Sequence, residues 1–141
     1  NYPFTTINPN LGVTYYNNKE VTLADIPGLV EGAHKGVGLG DKFLRHIERC
    51  KILLHLIDIT EKNLFENYKK IRSELKNYDL TLYKKRELIF FNKSDLLEKN
   101  VIKDKVLKFK EQIKQKYRII STFKRDDIQS IKKVLISNVN K

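Results

Sequence analysis

The sequence predicts an α/β domain: a mostly parallel sheet with one antiparallel edge strand and helices on both faces. Three observations predict it. Two near-continuous apolar runs, ILLHLID at 52–58 and ELIFF at 87–91, read as strands buried on both faces, as central parallel strands are. Between and after them apolar residues recur at helical spacing, first as Leu64, Tyr68, Ile71, Leu75 and Tyr78, at intervals of 4, 3, 4 and 3. Only at the start do two strand-like runs, 11–16 and 20–25, follow one another with no helix between, which makes the single antiparallel pair.

Each element has its own justification. LGVTYY and EVTLAD are separated by Asn17-Asn18-Lys19, and asparagine tolerates the left-handed geometry of a tight hairpin. Residues 1–10 ahead of them read as an extended loop carrying Thr5 and Thr6. Residues 41–49, with Phe43, Leu44 and Ile47 apolar and Asp41 near the start, read as a short amphipathic helix. Ile102, Val106, Phe109, Ile113 and Tyr117 mark a helix after the second apolar strand. Arg118-Ile119-Ile120 forms a short strand running into Ser121-Thr122. Ile128, Ile131 and Leu135 mark a terminal helix, with Asp126 and Asp127 suited to its N-terminal end. No internal repeat or linker divides the chain, so residues 1–141 form one domain.

The 141 residues suffice for a real core, and the hydrophobic and charged fractions, 40% and 32%, are ordinary for a globular protein. No apolar run approaches the roughly 18 residues of a membrane span, and no membrane association is expected. With one cysteine, Cys50, neither an internal disulfide nor a cysteine-based zinc site can form. The chain contains no methionine, which suggests a fragment. A net charge of +11 favours polyanionic partners such as RNA or a ribosomal surface. The lysines are dispersed, so compositional bias is an equal alternative.

In open α/β sheets ligands bind beyond the carboxyl ends of the strands, and the unusual polar residues fall there: Asp25, Asp58, Asn92–Asp95 and Ser121. Asn92-Lys93-Ser94-Asp95 is the sharpest cluster. A carboxylate can accept from both the ring N–H and the exocyclic amine of guanine, a donor pair adenine lacks, so Asp95 is the guanine reader. Asn92 would tie neighbouring loops and the Lys93 stem would cover the base. A plain helix cap is the alternative, and the company of the other clusters favours guanine. Residues 25–43, DIPGLVEGAHKGVGLGDKF, hold five of the six glycines, the mark of a loop that changes shape or closely approaches a ligand. Asp25 with Gly28 would bind magnesium and a terminal phosphate, or simply close a strand-end turn. Thr5 or Thr6 could ligate that metal, though singly they read as β-prone residues. His55 and Asp58 read as structural.

YPFTT, PNLGV, DIPGLVEGA, GLGDKFLRHIER and NKSD, in this order and spacing, resemble the Obg family of GTPases across nearly the whole chain. The resemblance implies a Ras-like P-loop GTPase G domain, N-terminally truncated, with switch I at residues 1–10 and switch II at 25–43. The base-specificity motif would be 92–95 and the base-supporting loop 121–122. It implies GTP and GDP as ligands of Asp25, Ile26, Pro27, Gly28, Asn92, Lys93, Asp95, Ser121 and Thr122. Mg²⁺ would be held by Thr6, and by Asp25 through water, with K⁺ a further candidate. Thr122 stands where the family normally has alanine. Leu29 replaces the glutamine that orients the attacking water, which leaves the catalytic group unknown.

The phosphate loop G-x-x-x-x-G-K-[ST] does not occur in the sequence, and the resemblance places it upstream of Asn1. The isolated chain is therefore expected to lack a central strand and to expose an apolar sheet edge. It is also expected neither to bind GTP tightly nor to hydrolyse it. As part of a complete protein it reads as a GTP-hydrolysing switch in assembly of the large ribosomal subunit, contacting ribosomal RNA. It would be monomeric and cytoplasmic, or organellar if a targeting segment lies upstream. The alternative is a nucleotide-independent RNA-binding or scaffold module.

Overall fold

The computed structural model describes residues 5–8, 11–24, 49–122 and 124–139. Within them, β1 (Thr5–Asn8), β2 (Leu11–Tyr16) and β3 (Lys19–Ala24) form one antiparallel sheet in that order. A second, parallel sheet has β5 (Arg86–Asn92) between β4 (Ile52–Asp58) and β6 (Tyr117–Ile119). Helices α1 (Leu64–Tyr78), α2 (Leu80–Tyr83), α3 (Lys99–Gln112) and α4 (Arg125–Val139) complete the described elements.

The hairpin turn is tighter than expected. Asn17 and Asn18 have φ of 49° and 62°, both left-handed, as a two-residue type I′ turn requires. Lys19 therefore already pairs with Tyr16. Residues 5–8, expected as part of a loop, instead pair with β2. The antiparallel part is thus three strands in a sheet of its own, and among the described strands none links it to β4. The helix expected over 41–49 lies outside the described residues.

β5 is the buried axis. Ile89 and Phe91 point to one face and pack with Tyr68 of α1 and Val106 and Phe109 of α3. Leu88 and Phe90 point to the other and pack with Ile128, Ile131 and Leu135 of α4. This is the period-2 alternation of a strand covered on both sides, and helices do lie on both faces. Phe91 meets Phe109 edge-on at 5.0 Å, and each fully buried ring contributes about 1.5–3 kcal/mol. Leu23 of β3 packs into the α4 side, so α4 bridges the two sheets without hydrogen bonds between them.

Two expectations need correction. The stripe from Ile102 to Tyr117 is not one helix: α3 stops at Gln112, and Tyr117 opens β6 opposite Ile89. Lys114-Gln115-Lys116 offers no apolar face to continue the helix. Tyr117 still reaches the same core, its ring 5.7 Å from that of Phe91, so helical spacing continued by coincidence across a loop. The four-residue α2 also escaped notice, being too short to show periodicity. It is capped by Asp79, whose Oδ1 accepts from the Leu82 N–H at 2.9 Å, and it buries Leu82 against Leu53 and Leu75.

Among the described residues, one charged side chain lies inside. The Glu87 carboxylate is 3% exposed. Its Oε1 accepts from the Tyr68 hydroxyl at 2.5 Å. Its Oε2 lies 3.1 Å from His55 Nδ1 and 3.4 Å from Arg72 Nη1. Arg72 also donates to the Tyr83 carbonyl at 2.8 Å and lies over the Tyr83 ring. Burial alone would raise the Glu87 pKa, but the hydrogen bonds from His55 and Tyr68 and the Arg72 charge outweigh it and hold it below the ordinary value. The same burial, with Glu87 alongside, pushes the Tyr68 hydroxyl up. His55 is thus structural, as its alternation along β4 suggested.

Candidate functional site

Parallel pairing puts Asp58 opposite Asn92, so the polar ends of β4 and β5 lie level at the carboxyl rim of the sheet. The chain then reverses sharply, because Lys93 takes left-handed geometry (φ 65°, ψ 31°), which costs a non-glycine residue of order 1 kcal/mol. The reversal is held by the 3-10 turn Ser94–Leu96 and by the Ser94 N–H donating to the Ile120 carbonyl at 3.1 Å. The Ile120 N–H in turn donates to the Phe91 carbonyl at 2.8 Å. The loop after β5 and the loop after β6 are thereby laced together.

The side chains complete the lacing. Asn92 Oδ1 accepts from the Thr122 N–H at 3.1 Å, the loop-tying role expected of it. The Ser121 hydroxyl, fully buried, donates to Asp95 Oδ1 at 2.6 Å. The Ser121 N–H donates to Asp127 Oδ2 at 2.8 Å. Asp95, exposed at the rim, thus has its carboxylate fixed by Ser121. Each carboxylate oxygen has two acceptor positions, so this bond leaves capacity for a ligand's donors. Asp127 was legible only as an acid at a helix start; that it also holds Ser121 follows from the fold.

Lys93 has a partner that sequence reading missed. Its ammonium lies 2.7 Å from Asp58 Oδ2. Asp58 Oδ1 accepts from both the N–H and the hydroxyl of Thr60, at 2.9 and 2.6 Å. Lys93 first and Thr60 second pull the Asp58 pKa down to about 2. Asp58 is therefore a strand-end cap that also steers the lysine stem across the rim. Replacing Lys93 by alanine is expected to raise the Asp58 pKa towards its ordinary 3.8, read by NMR titration of the carboxyl carbon. An unchanged value would show that Thr60 alone holds it down.

The other half of the expected site is not in view. Asp25, Ile26, Pro27, Gly28 and Leu29 lie outside the described residues. Thr6 belongs to β1, but its side chain lies outside them too. Among the described residues no group of three or more His, Cys, Asp or Glu could hold a metal ion.

The described arrangement is a rim of fixed polar groups: one exposed carboxylate, an amide, a lysine stem and a buried serine behind them. It suits a flat heterocycle that presents two adjacent donors.

A family model described as 50S ribosome-binding GTPase matches residues 1–93. GTPase Obg of Pelagibacter ubique is 53% identical over 140 residues, covering 99% of the chain and 43% of the relative. GTPase Obg of Orientia tsutsugamushi (strain Boryong) is 48% identical over 140 residues, with the same coverage of both. GTPase Obg of Ehrlichia ruminantium is 50% identical over 141 residues, covering the whole chain and 41% of the relative. The chain spans less than half the length of these relatives. Among solved structures, the G domain of FeoB from Methanococcus jannaschii superposes with a TM-score of 0.57 at 18% identity, covering 96% of this chain and 82% of that one. A nucleolar GTP-binding protein 1 from Plasmodium falciparum gives 0.53 at 17%, covering 92% and 69%. At such identities these two similarities speak for the fold alone.

Proposed function

The chain belongs to the Obg GTPases within the 50S ribosome-binding GTPase family, and from that premise we propose that it is the guanine-reading part of a GTP-hydrolysing switch. The observation that carries the reading is the Ser121–Asp95 hydrogen bond of 2.6 Å, which fixes an exposed carboxylate at the carboxyl rim of the sheet. Asp95 accepts from the guanine ring N–H and its amine. Asn92 holds Thr122 in place, the Lys93 stem covers the base, and Ser121 with Thr122 supports its edge.

On the phosphate side, Thr6, and Asp25 through a water, would hold Mg²⁺, which would neutralise charge on the phosphates. Ile26, Pro27 and Gly28, which lie outside the described residues, would sense the terminal phosphate, as the family resemblance implies. Leu29 cannot orient water, so hydrolysis relies on another group, with K⁺ a candidate. The protein serves assembly of the large ribosomal subunit, in the cytoplasm or an organelle, with ribosomal RNA as its partner.

The test is a titration of the intact protein with fluorescent GTP, GDP and ATP in the presence of Mg²⁺. Binding of GTP and GDP, with ATP at least about 10³-fold weaker, is the expected result. Comparable affinity for ATP would overturn the guanine assignment.

A further inference from the structure

Basic residues gather at the amino end of the parallel sheet. The carboxyl rim mixes Asp58, Asp95 and Asp127 with Lys93 and Lys124, while the segments entering the amino ends of β4, β5 and β6 carry Lys51, Lys84, Lys85, Arg86, Lys114 and Lys116. Ile52 pairs with Arg86, so the first two of these segments are neighbours. The third runs along an open groove of about 920 Å³ with Arg86, Lys110, Lys114, Lys116 and Arg118 on its wall and an apolar part formed by Leu88, Phe90, Tyr117 and Val134. Glu111 is the one acid on its wall, and Glu87, the other acid nearby in sequence, is buried in its own network.

Lys51 has a structural task. It donates to the Val139 carbonyl at 3.1 Å, satisfying the end of α4, whose last turn has no basic residue. The others do not. Among the described residues none of Lys84, Arg86, Lys114, Lys116 and Arg118 forms an ion pair, and all five are exposed. Cations clustered on one rim without carboxylate partners repel one another, and an anionic ligand relieves that repulsion.

We propose that this amino-end groove binds the phosphate backbone of RNA. The inference rests on the reading of an RNA partner and gives that partner its surface. Arg86 and Arg118 can grip phosphate oxygens bidentately, and Lys114 and Lys116 neutralise adjacent phosphates. Gln115, exposed on the wall, supplies a neutral group suited to ribose hydroxyls. The chain's net charge of +11 supplies the long-range attraction that a polyanion answers best. β5 spans seven residues, about 20 Å at the usual strand rise, so RNA held here stays clear of the guanine rim and both can be bound together.

The experiment measures binding of a labelled RNA hairpin to the intact protein against salt concentration. It compares the wild type with Lys114→Ala/Lys116→Ala/Arg118→Ala and with a control, Lys62→Ala/Lys70→Ala/Lys108→Ala, whose lysines are also exposed. The groove variant is expected to bind about tenfold or more weakly at moderate salt, with the log–log salt slope reduced by about 2–3. The control should change little, and both variants should retain guanine binding. Equal losses in the two variants would mean diffuse charge and overturn the groove. No salt-dependent binding by the wild type would remove the RNA partner itself. Tighter binding to polyglutamate than to RNA would reassign the groove to an acidic protein.

Discussion

Replacing Asp95 by asparagine is expected to weaken GTP and GDP binding by the intact protein about 10³-fold. Two charge-assisted hydrogen bonds, worth about 1.5–3 kcal/mol each, are lost, and the new amide turns a donor towards a guanine donor. The fold should not suffer. Asp95 is exposed, and asparagine can still accept the Ser121 hydroxyl, so stability should stay within about 0.5 kcal/mol. Xanthine carries a carbonyl where guanine has its amine, so xanthosine triphosphate should gain affinity on the variant. Competition titrations with the three nucleotides, alongside a urea melt, make the comparison. Unchanged guanine affinity in a folded variant would remove Asp95 from the base site. The alanine variant of Ser121 should give a milder version, since it frees the Asp95 carboxylate without removing it.

Glu87→Gln is expected to destabilise the intact protein by about 3 kcal/mol, the usual result of removing one partner from a buried charge cluster. The amide cannot serve Tyr68, His55 and Arg72 together, and Arg72, 18% exposed, is left without its counter-charge. Against the 5–15 kcal/mol of a typical domain this is a large share. The pH dependence carries a second signature. Because the folded pKa of Glu87 lies below its ordinary value, its contribution is complete above the ordinary glutamate range, near 4.3. It disappears as pH falls through the lower folded value. Urea unfolding at neutral and acid pH should therefore show the wild-type advantage at neutral pH and its loss in acid. A constant gap between the two proteins would mean that Glu87 contributes packing and not charge.

Much of this was legible beforehand, for identifiable reasons. Burial on both faces writes itself as a continuous apolar run, which holds for 87–91, whereas 52–58, read the same way, forms the edge strand β4 among the described strands and leaves Leu56 exposed. The α1 stripe from Leu64 to Tyr78 matches the helix bounds because one amphipathic face packs on one sheet. Where the reading failed, the signal was too short or misleading. α2 has too few residues for a period, and Tyr117 satisfied helical spacing while lying in a strand. Thr5–Asn8 became a strand only because β2 lay alongside with an open edge.

The candidate site divides the same way. Asn92, Lys93 and Asp95 could be proposed as a guanine site from sequence because a carboxylate shortly after a buried strand is a local pattern. That Asp58 and Thr60 would draw Lys93 across the rim, and that Asp127 would hold Ser121, could not be assigned. Those pairs bridge 35 and 6 residues, and only strand register and the placement of α4 bring them together. Sequence by itself determined the class of fold and the positions of the parallel strands, and it singled out Asp95 as the proposed base reader, since each rests on residues adjacent in the chain. Tertiary structure alone decided which carboxylate stays free for a ligand, which is tied to a lysine and which is sealed in the core. Those fates depend on burial and on partners distant along the chain, and no local pattern encodes them.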